Sequence, residues 1–380
     1  MTTPRSADDP AARPLAPRTR AVRAGIDTDT AHNAVTPPVY LSTSYSFDSL
    51  TDRGRYDYSR AGNPTRDLFG DAVVALEGGA AGCVTSSGMS AISTTVQALL
   101  PPGGTLLAPS DCYGGSWRLF DALERTGRLK LRLVDFSDAE AAASAISEGA
   151  DLVWLESPSN PLLRVTDIAA VSAAAHAVGA LVVADNTFAT PVLQRPLEAG
   201  VDVVVHSATK YLSGHSDVVA GVIVAADADR GAELCWWANA LGATAGAFDS
   251  YLALRGLRTL HLRVAAAQAG AGAVVEALLA HPAVRAVHYP GFGAMVTFEV
   301  SGRAAVEALL DGLNLFCLAE SLGGVESLIS HPATMTHAAL SEAAQGEAGI
   351  TEGMLRLSIG IEDPADLVAD LRTGLDRISR

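Results

Sequence analysis

The chain has 380 residues, 49% hydrophobic and 18% charged, which is enough apolar material for a large core and excludes a disordered chain or a small disulfide scaffold. A balance of 27 basic against 42 acidic residues, net −15, argues against nucleic acid or an anionic membrane surface as partner. Cys83, Cys112, Cys235 and Cys317 are widely separated with no C-x-x-C pair, so no zinc knot or disulfide framework is expected and a reducing cytoplasm fits.

In chain order, the first twenty or so residues mix Pro, Arg and Asp without an apolar run and read as a mobile tail, not a secretory signal. Asn63-Pro64 pairs a capping residue with Pro at a first helical position, and apolar spacing continues to Leu76 before Glu77-Gly78-Gly79 stops the helix. A second helix begins near Ser87-Gly88 and ends at Pro101-Pro102-Gly103-Gly104. Short strands are predicted at Thr105–Ala108, Leu131–Val134, Leu152–Leu155, Leu181–Ala184 and Val201–His206, most of them separated by helical stretches. This alternation predicts an α/β fold with a mainly parallel sheet flanked by helices. Asp249–Ala280 is Leu- and Ala-rich and reads as one connecting helix leading to a smaller C-terminal α/β unit. Single cores rarely grow past about 250 to 300 residues, and the boundary is placed near residue 250. Apolar stretches such as Gly179–Ala184 and Val218–Ala226 are too short to span a bilayer, so no membrane is expected as partner.

Only Lys130 and Lys210 are lysines, so amine chemistry rests on one of two side chains. Lys130 alternates with Arg128 and Arg132 along a probable strand and is most simply a solvated charge. Lys210 follows the strand ending at His206-Ser207, where ligands of open α/β sheets bind. Asp185 ends the preceding apolar strand. On its own Asp185 reads equally well as a cap or turn residue. Together, a lysine and a carboxylate on successive strand ends suit pyridoxal 5'-phosphate: the lysine for a Schiff base, the carboxylate to keep the ring nitrogen protonated. Ser86-Ser87-Gly88-Met89 opens a helix with small residues able to receive a phosphate.

Several motifs carry a closer resemblance: YDYSRAGNPT (Tyr56–Thr65), SSGMSAI (Ser86–Ile92), DCYGGSWRLF (Asp111–Phe120), ESPSNPLLRV (Glu156–Val165), DNTF (Asp185–Phe188), HSATKYLSGHSDVVAG (His206–Gly221), LAESLGGVESLISHPATMTHA (Leu318–Ala338) and LRLSIGIED (Leu355–Asp363). From about Thr19 to the C-terminus the chain resembles the cysteine/methionine-metabolism family of fold-type I pyridoxal-phosphate enzymes, most closely its bacterial γ-synthases. The resemblance implies a fold-type I transferase with an N-terminal arm over residues 1–62 touching a neighbouring subunit. A cofactor-binding large domain would span 63–250, and a small C-terminal domain 251–380. It implies Lys210 as the Schiff-base lysine and mobile base, and Asp185 as partner of the ring nitrogen. Tyr113 would stack on the ring and share proton transfers, and Asn160 would bond the phenolic oxygen. Gly88, Met89, Ser207 and Thr209 would hold the phosphate, with Tyr58 and Arg60 reaching it from a neighbouring subunit of a homotetramer. Arg356 would clamp the substrate α-carboxylate with help from Ser321. Glu320 occupies a specificity position, where glutamate is similar to γ-synthases and γ-lyases. Asp57, Arg118 and Asn239 match substrate-side positions. The implied substrates are small amino acids, an O-acylhomoserine and cysteine, with γ-lysis of cystathionine or another nucleophile as alternatives.

Two departures stand out. A loop and helix usual in the family between His288-Tyr289-Pro290 and Gly291 is missing, and Ala61 stands where succinyl-using enzymes often carry a second arginine. Other chemistries fit less well. Ser207-Ala208-Thr209-Lys210 reads S-x-x-K but lacks S-D-N and K-T-G partners. Gly78, Gly79 and Gly82 lack dinucleotide spacing, and no H-E-x-x-H suggests a metal site.

Overall fold

A computed structural model describes residues 15–338 and 340–378. The tail expected over residues 1–20 lies outside the described residues up to 14, and from 17 onward it needs correction. Pro17 opens a short helix, α1 (Pro17–Arg23), as Pro at a first helical position favours. Its Ala21 is buried and Arg20 Nη1 donates to Ala75 O at 3.2 Å, so this segment is docked on the next helix. That helix, α2 (Pro64–Glu77), starts as expected: Asn63 Oδ1 accepts Thr65 N and Arg66 N at 3.0 and 3.2 Å. Gly78 ends it at φ +79°, a left-handed turn that a β-carbon disfavours.

The large sheet is built from β1 (Ala81–Thr85), α3 (Gly88–Leu99), β2 (Gly104–Pro109), α4 (Gly114–Arg125), β3 (Leu129–Val134), α5 (Ala139–Ser147), β4 (Leu152–Glu156), α6 (Ile168–Ala177), β5 (Leu181–Asp185), α7 (Thr190–Leu193), β6 (Val203–Ser207) and β7 (Gly221–Ala225). Its seven strands run in the order β1-β7-β6-β5-β4-β2-β3. The five strands foreseen from sequence form the parallel part. β7 is antiparallel to both β6 and β1; it falls within the apolar Val218–Ala226 run, which is not assigned to a strand from sequence, and β1 is not foreseen either. The small residues of β1 serve close packing: a β-carbon on Gly82 would meet Ile223 O at 2.2 Å, and one on Gly231 would meet Ala81 Cβ at 2.4 Å. Alternation then divides the sheet between two apolar layers, with Val182, Ala184 and Val204 facing one and Val183, Val203 and Trp154 the other, which is why helices cover both faces.

The segment read as one connecting helix is broken. After α8 (Ala228–Leu241) come α9 (Ala247–Leu257) and α10 (Leu260–Leu279), and buried Arg263 accounts for the interruption. Its guanidinium donates to Gly256 O at 2.8 Å, to Thr259 Oγ1 at 3.1 Å and, across to the loop after Lys210, to Tyr211 O at 2.7 Å. Turning the chain at Arg258-Thr259 lets one side chain cap α9 and fix that loop. α10, with 20 residues and a mean hydropathy of 1.4, is long and apolar enough to cross a membrane by length and composition, unlike the stretches singled out from sequence. Here it packs Val264, Ala267, Ala271 and Val274 into the core.

The second sheet is assembled from β8 (Ala286–His288), β9 (Met295–Glu299), α11 (Arg303–Leu310), β10 (Cys317–Leu318), β11 (Leu328–Ser330), α12 (Glu342–Glu347), β12 (Met354–Ser358) and α13 (Pro364–Ile378). Its five strands run β10-β11-β12-β9-β8, antiparallel except β10–β11. Arg356 sits on central β12 between Ser330 and Thr297. The shortened β8–β9 connection is a tight turn, with Tyr289 Oη donating to Gly293 O at 3.1 Å and Gly293 N to Gln268 Oε1 at 2.8 Å.

Candidate active site

A cavity of about 250 Å³ opens at the carboxyl ends of β4, β5 and β6, and Glu320, Ser321 and Arg356 close it from the side of the second sheet. Parallel strands deliver their end residues to one rim, which is why Asp185 and Ser207 share it with Thr209 and Lys210. No residue of the shortened 289–294 turn lines this cavity.

Lys210 Nζ donates to Ser321 Oγ at 2.7 Å. Burial first, then nearby Arg356, pulls the ammonium down to about 8 against the opposing pull of Glu320, bringing the neutral amine within working pH. Ser321 stands at φ +90°, a conformation costly for a side-chain-bearing residue. The strain lets one residue serve two cations, because its carbonyl also accepts Arg356 Nη2 at 3.2 Å.

Arg356 is 3% exposed. Nη1 donates to Asn160 Oδ1 at 2.8 Å, and Nε has no partner. Among the described residues no carboxylate pairs with it, so the cavity holds a buried cation awaiting an anion. Burial pulls it to about 10, so it stays protonated at neutral pH. The same burial, with Arg356 adding, brings neighbouring His337 down to about 4, so His337 adds no positive charge there. Because Asn160 Oδ1 is taken by Arg356, its amide N–H groups are left to donate into the cavity.

Asp185 Oδ1 accepts Thr187 N at 2.9 Å. Burial raises its carboxyl against the lowering effect of Thr187 and His206, a demand for a cation that a protonated ring nitrogen meets. Thr187, which sequence reasoning passed over, also accepts Ser207 N on Oγ1 at 2.8 Å, tying the two strand ends together. Its signal lay within the DNTF motif.

At the far end, Ser87 Oγ caps α3 by accepting Ser90 N at 3.0 Å. This leaves Gly88 N and Met89 N at the helix mouth, where the dipole favours a phosphate. A β-carbon on Gly88 would come within 2.7 Å of Ser207 Cβ, so only glycine lets these two segments converge. Thr209 Oγ1 donates to Ala220 O at 3.2 Å, holding the strand-end loop and the β7 entry together beside the same corner. Ser87, part of the run expected to receive a phosphate, lines the cavity, and so does Glu156, to which the sequence assigned no role.

Tyr113 precedes α4 and its ring faces the cavity with Arg118 nearby. Burial is the largest influence and raises its hydroxyl, which Arg118 partly offsets, so the phenol is protonated at neutral pH in this charge setting. Gly115 makes room for the ring, since a β-carbon there would lie 2.4 Å from Tyr113 Cε1 and 2.8 Å from Met89 Sδ. Gly115→Ala is therefore expected to displace the ring and lower kcat by about 10- to 100-fold, with thermal unfolding changed little. Steady-state kinetics beside a melting curve checks this.

The remaining expected residues are not brought to this cavity. Asp57, Tyr58, Arg60 and Asn239 form a separate surface cluster. Arg60 Nη1 donates to Asn239 O and Oδ1 at 2.8 and 2.9 Å, its guanidinium lies 5.7 Å from the Tyr58 ring centroid, and Asp57 pairs with Arg53 at 3.4 Å. The cavity residues themselves fit pyridoxal 5'-phosphate: a depressed lysine, a half-buried carboxyl with no cation paired to it among the described residues and a helix mouth cleared by glycine share one cavity, as aldehyde, ring nitrogen and phosphate require.

Comparison with known proteins agrees. The chain is 52% identical over 373 residues to a cystathionine gamma-synthase of Escherichia coli (strain K12), covering 94% of this chain and 97% of that one. The crystal structure of cystathionine gamma synthase from Xanthomonas oryzae pv. oryzae in complex with cystathionine superposes with a TM-score of 0.95 at 53% identity, covering 97% of this chain and 99% of that one. A cystathionine gamma-lyase from Lactobacillus plantarum complexed with L-serine gives a TM-score of 0.92 at 37% identity, covering 96% and 100%. The family described as Cys/Met metabolism PLP-dependent enzyme matches residues 18–376. A family match across residues 18–376 and relatives at this identity and coverage mean that the chain belongs to the Cys/Met metabolism family of enzymes that work with pyridoxal 5'-phosphate.

Proposed function

We propose that this enzyme carries out γ-replacement on an O-acylhomoserine, acetyl or succinyl, with L-cysteine to give cystathionine, as a cytoplasmic homotetramer. The observation that carries the reading is Arg356: a buried guanidinium without a carboxylate partner among the described residues, one Ser321 away from Lys210. That geometry suits an α-amino acid, with its carboxylate on Arg356 through two parallel N–H donors and its Cα within reach of the lysine. Similarity to gamma-synthases and Glu320 on the cavity wall favour chemistry at Cγ.

When bound, pyridoxal phosphate supplies an aldehyde for amines and an electron-poor ring that accepts the electron pair left at Cα. The residues do the rest. Arg356 would orient the carboxylate and so hold Cα near Lys210, which reaches the same Ser321. Neutral Lys210 takes the proton from Cα and then moves one at Cβ, which lets the γ-acyloxy group leave and the cysteine thiol add at Cγ. Asp185 would hold a proton on the ring nitrogen, and Tyr113 would cover the ring and keep water away.

Tyr58 and Arg60 lie outside their own chain's cavity, and Tyr58 is 46% exposed, which supports their service in a neighbouring subunit, with the segment over residues 1–62 as the contacting arm. Ala61 sits beside Arg60 and is exposed, so the arm offers no second cation there to a succinyl carboxylate, and an acetyl ester is favoured. A second reading is γ-lysis of cystathionine, favoured by the likeness to a gamma-lyase structure, since the same groups serve both directions.

Mass spectrometry of products from O-acetyl- or O-succinylhomoserine with cysteine tests this. Cystathionine supports the synthase. 2-Oxobutyrate alone, or no reaction with either ester, overturns it and turns attention to cystathionine as substrate.

A further inference from the structure

We propose that Glu156 is a positioning residue for this reaction: its carboxyl, at the end of β4 beside Asp185, seats Tyr113 over the place that the cofactor ring takes. The inference rests on the site reading above and adds a residue to it. Glu156 is 5% exposed, and both of its oxygens accept Tyr113 N, at 3.1 and 2.8 Å. It is the direct neighbour of Asp185 in the parallel β4–β5 register, and both side chains line the cavity. Tyr113 opens α4 with no side-chain cap, so the helix start takes its anchor from this strand end. Behind it, a β-carbon on Gly114 would lie 2.3 Å from Thr336 O, so the backbone is wedged between Glu156 and the 336 loop. One carboxyl thereby links the residue expected over the ring to the strand that carries the ring-nitrogen partner.

The chemistry says which property of Glu156 matters. It pairs with no cation among the described residues, and burial, then Asp185, raises its carboxyl well above the ordinary range, although the Tyr113 N–H pulls the other way. What the geometry uses is an acceptor at this side chain's length for the Tyr113 N–H. Glutamine has that length and an amide oxygen. Alanine has neither, and leaves the Tyr113 N–H buried without an acceptor and the ring free to drift.

The test uses holoenzymes of the wild type, Glu156→Gln, Glu156→Ala, Tyr113→Ala and the double alanine variant. Three quantities are read: the induced circular dichroism of the bound-cofactor band, the cofactor concentration for half-saturation, and kcat with KM for O-acetylhomoserine plus cysteine. Glu156→Ala is expected to lose most of the induced band and about 10- to 100-fold in kcat, with a much smaller change in KM. Glu156→Gln restores both, and in the Tyr113→Ala background Glu156→Ala adds little further loss. A glutamine variant as impaired as the alanine variant, an alanine variant with an unaltered band, or additive losses in the double variant overturns the proposal. If Tyr113→Ala itself leaves the band and the half-saturation unchanged, the placement of Tyr113 over the ring is what fails, and Glu156 falls with it.

Discussion

Lys210→Ala is expected to abolish turnover, with a loss of about 10⁴-fold or more, and to give a protein that no longer turns yellow with pyridoxal phosphate. No other lysine can take its place, because Lys130, the only other one, is exposed on β3 and does not line the cavity. A yellow, active Lys210→Ala protein would refute the assignment. The same side chain sets a pH dependence. Its ammonium is drawn from 10.5 to about 8, chiefly by burial, so the neutral amine that attacks an aldehyde accumulates as pH rises. Cofactor capture by the apoenzyme is expected to speed up with pH and level off above about 8, where an unperturbed lysine would keep gaining. Stopped-flow absorbance against pH reads this, and a rate still climbing in proportion to hydroxide at pH 10 contradicts it. The linkage runs the same way. Because the folded-state value is depressed, Lys210 costs stability below about pH 8, and the cost is relieved as pH rises towards 10.5. Apo Lys210→Ala is therefore expected to unfold no more easily than the wild type at neutral pH, separating loss of chemistry from loss of fold.

Arg356→Lys is expected to lower kcat/KM by about 10²- to 10³-fold, mostly through KM for the amino-acid substrate, which corresponds to about 3 to 4 kcal/mol. Lysine keeps the charge but offers a point donor in place of a planar fork. The present fork is already partly used: Nη1 reaches Asn160 Oδ1 and Nη2 reaches Ser321 O, so the guanidinium is held rigid before substrate arrives. Losing it also frees the Asn160 amide expected at the phenolic oxygen, and cofactor affinity should fall modestly alongside. Isothermal titration with an unreactive amino acid and steady-state kinetics distinguish the two losses. A lysine variant with near-normal KM would remove the carboxylate-clamp role.

Local sequence determined a good deal. Asn63-Pro64 with Gly78 bounds α2 through capping and a left-handed turn, chemistry that acts over four residues and needs no tertiary contact. The five parallel strands were legible because buried strands read as continuous apolar runs, and the scarcity of lysine with motif likeness singled out Lys210, Asp185 and Arg356. β1 was not, since it owes its place to residues small enough to accept α8 and Ile223 O, and β7, although it lies in an apolar run, carries no local sign of its antiparallel place between β6 and β1. The break before α10 escaped for a related reason: nothing in its helical pattern shows that Arg263 reaches Tyr211 O, 52 positions away in sequence.

Only the tertiary structure decided the electrostatics of the site. Lys210 is an ordinary lysine by composition, and it becomes a base near pH 8 because burial removes water from its ammonium and Arg356 stands nearby. Glu156 carries no signal by itself, yet the parallel register sets it against Asp185 and the fold brings Tyr113 N onto it. Residue type states what a side chain can do. Desolvation and long-range neighbours, which depend on contacts between distant segments, state which protonation form it holds and what it faces.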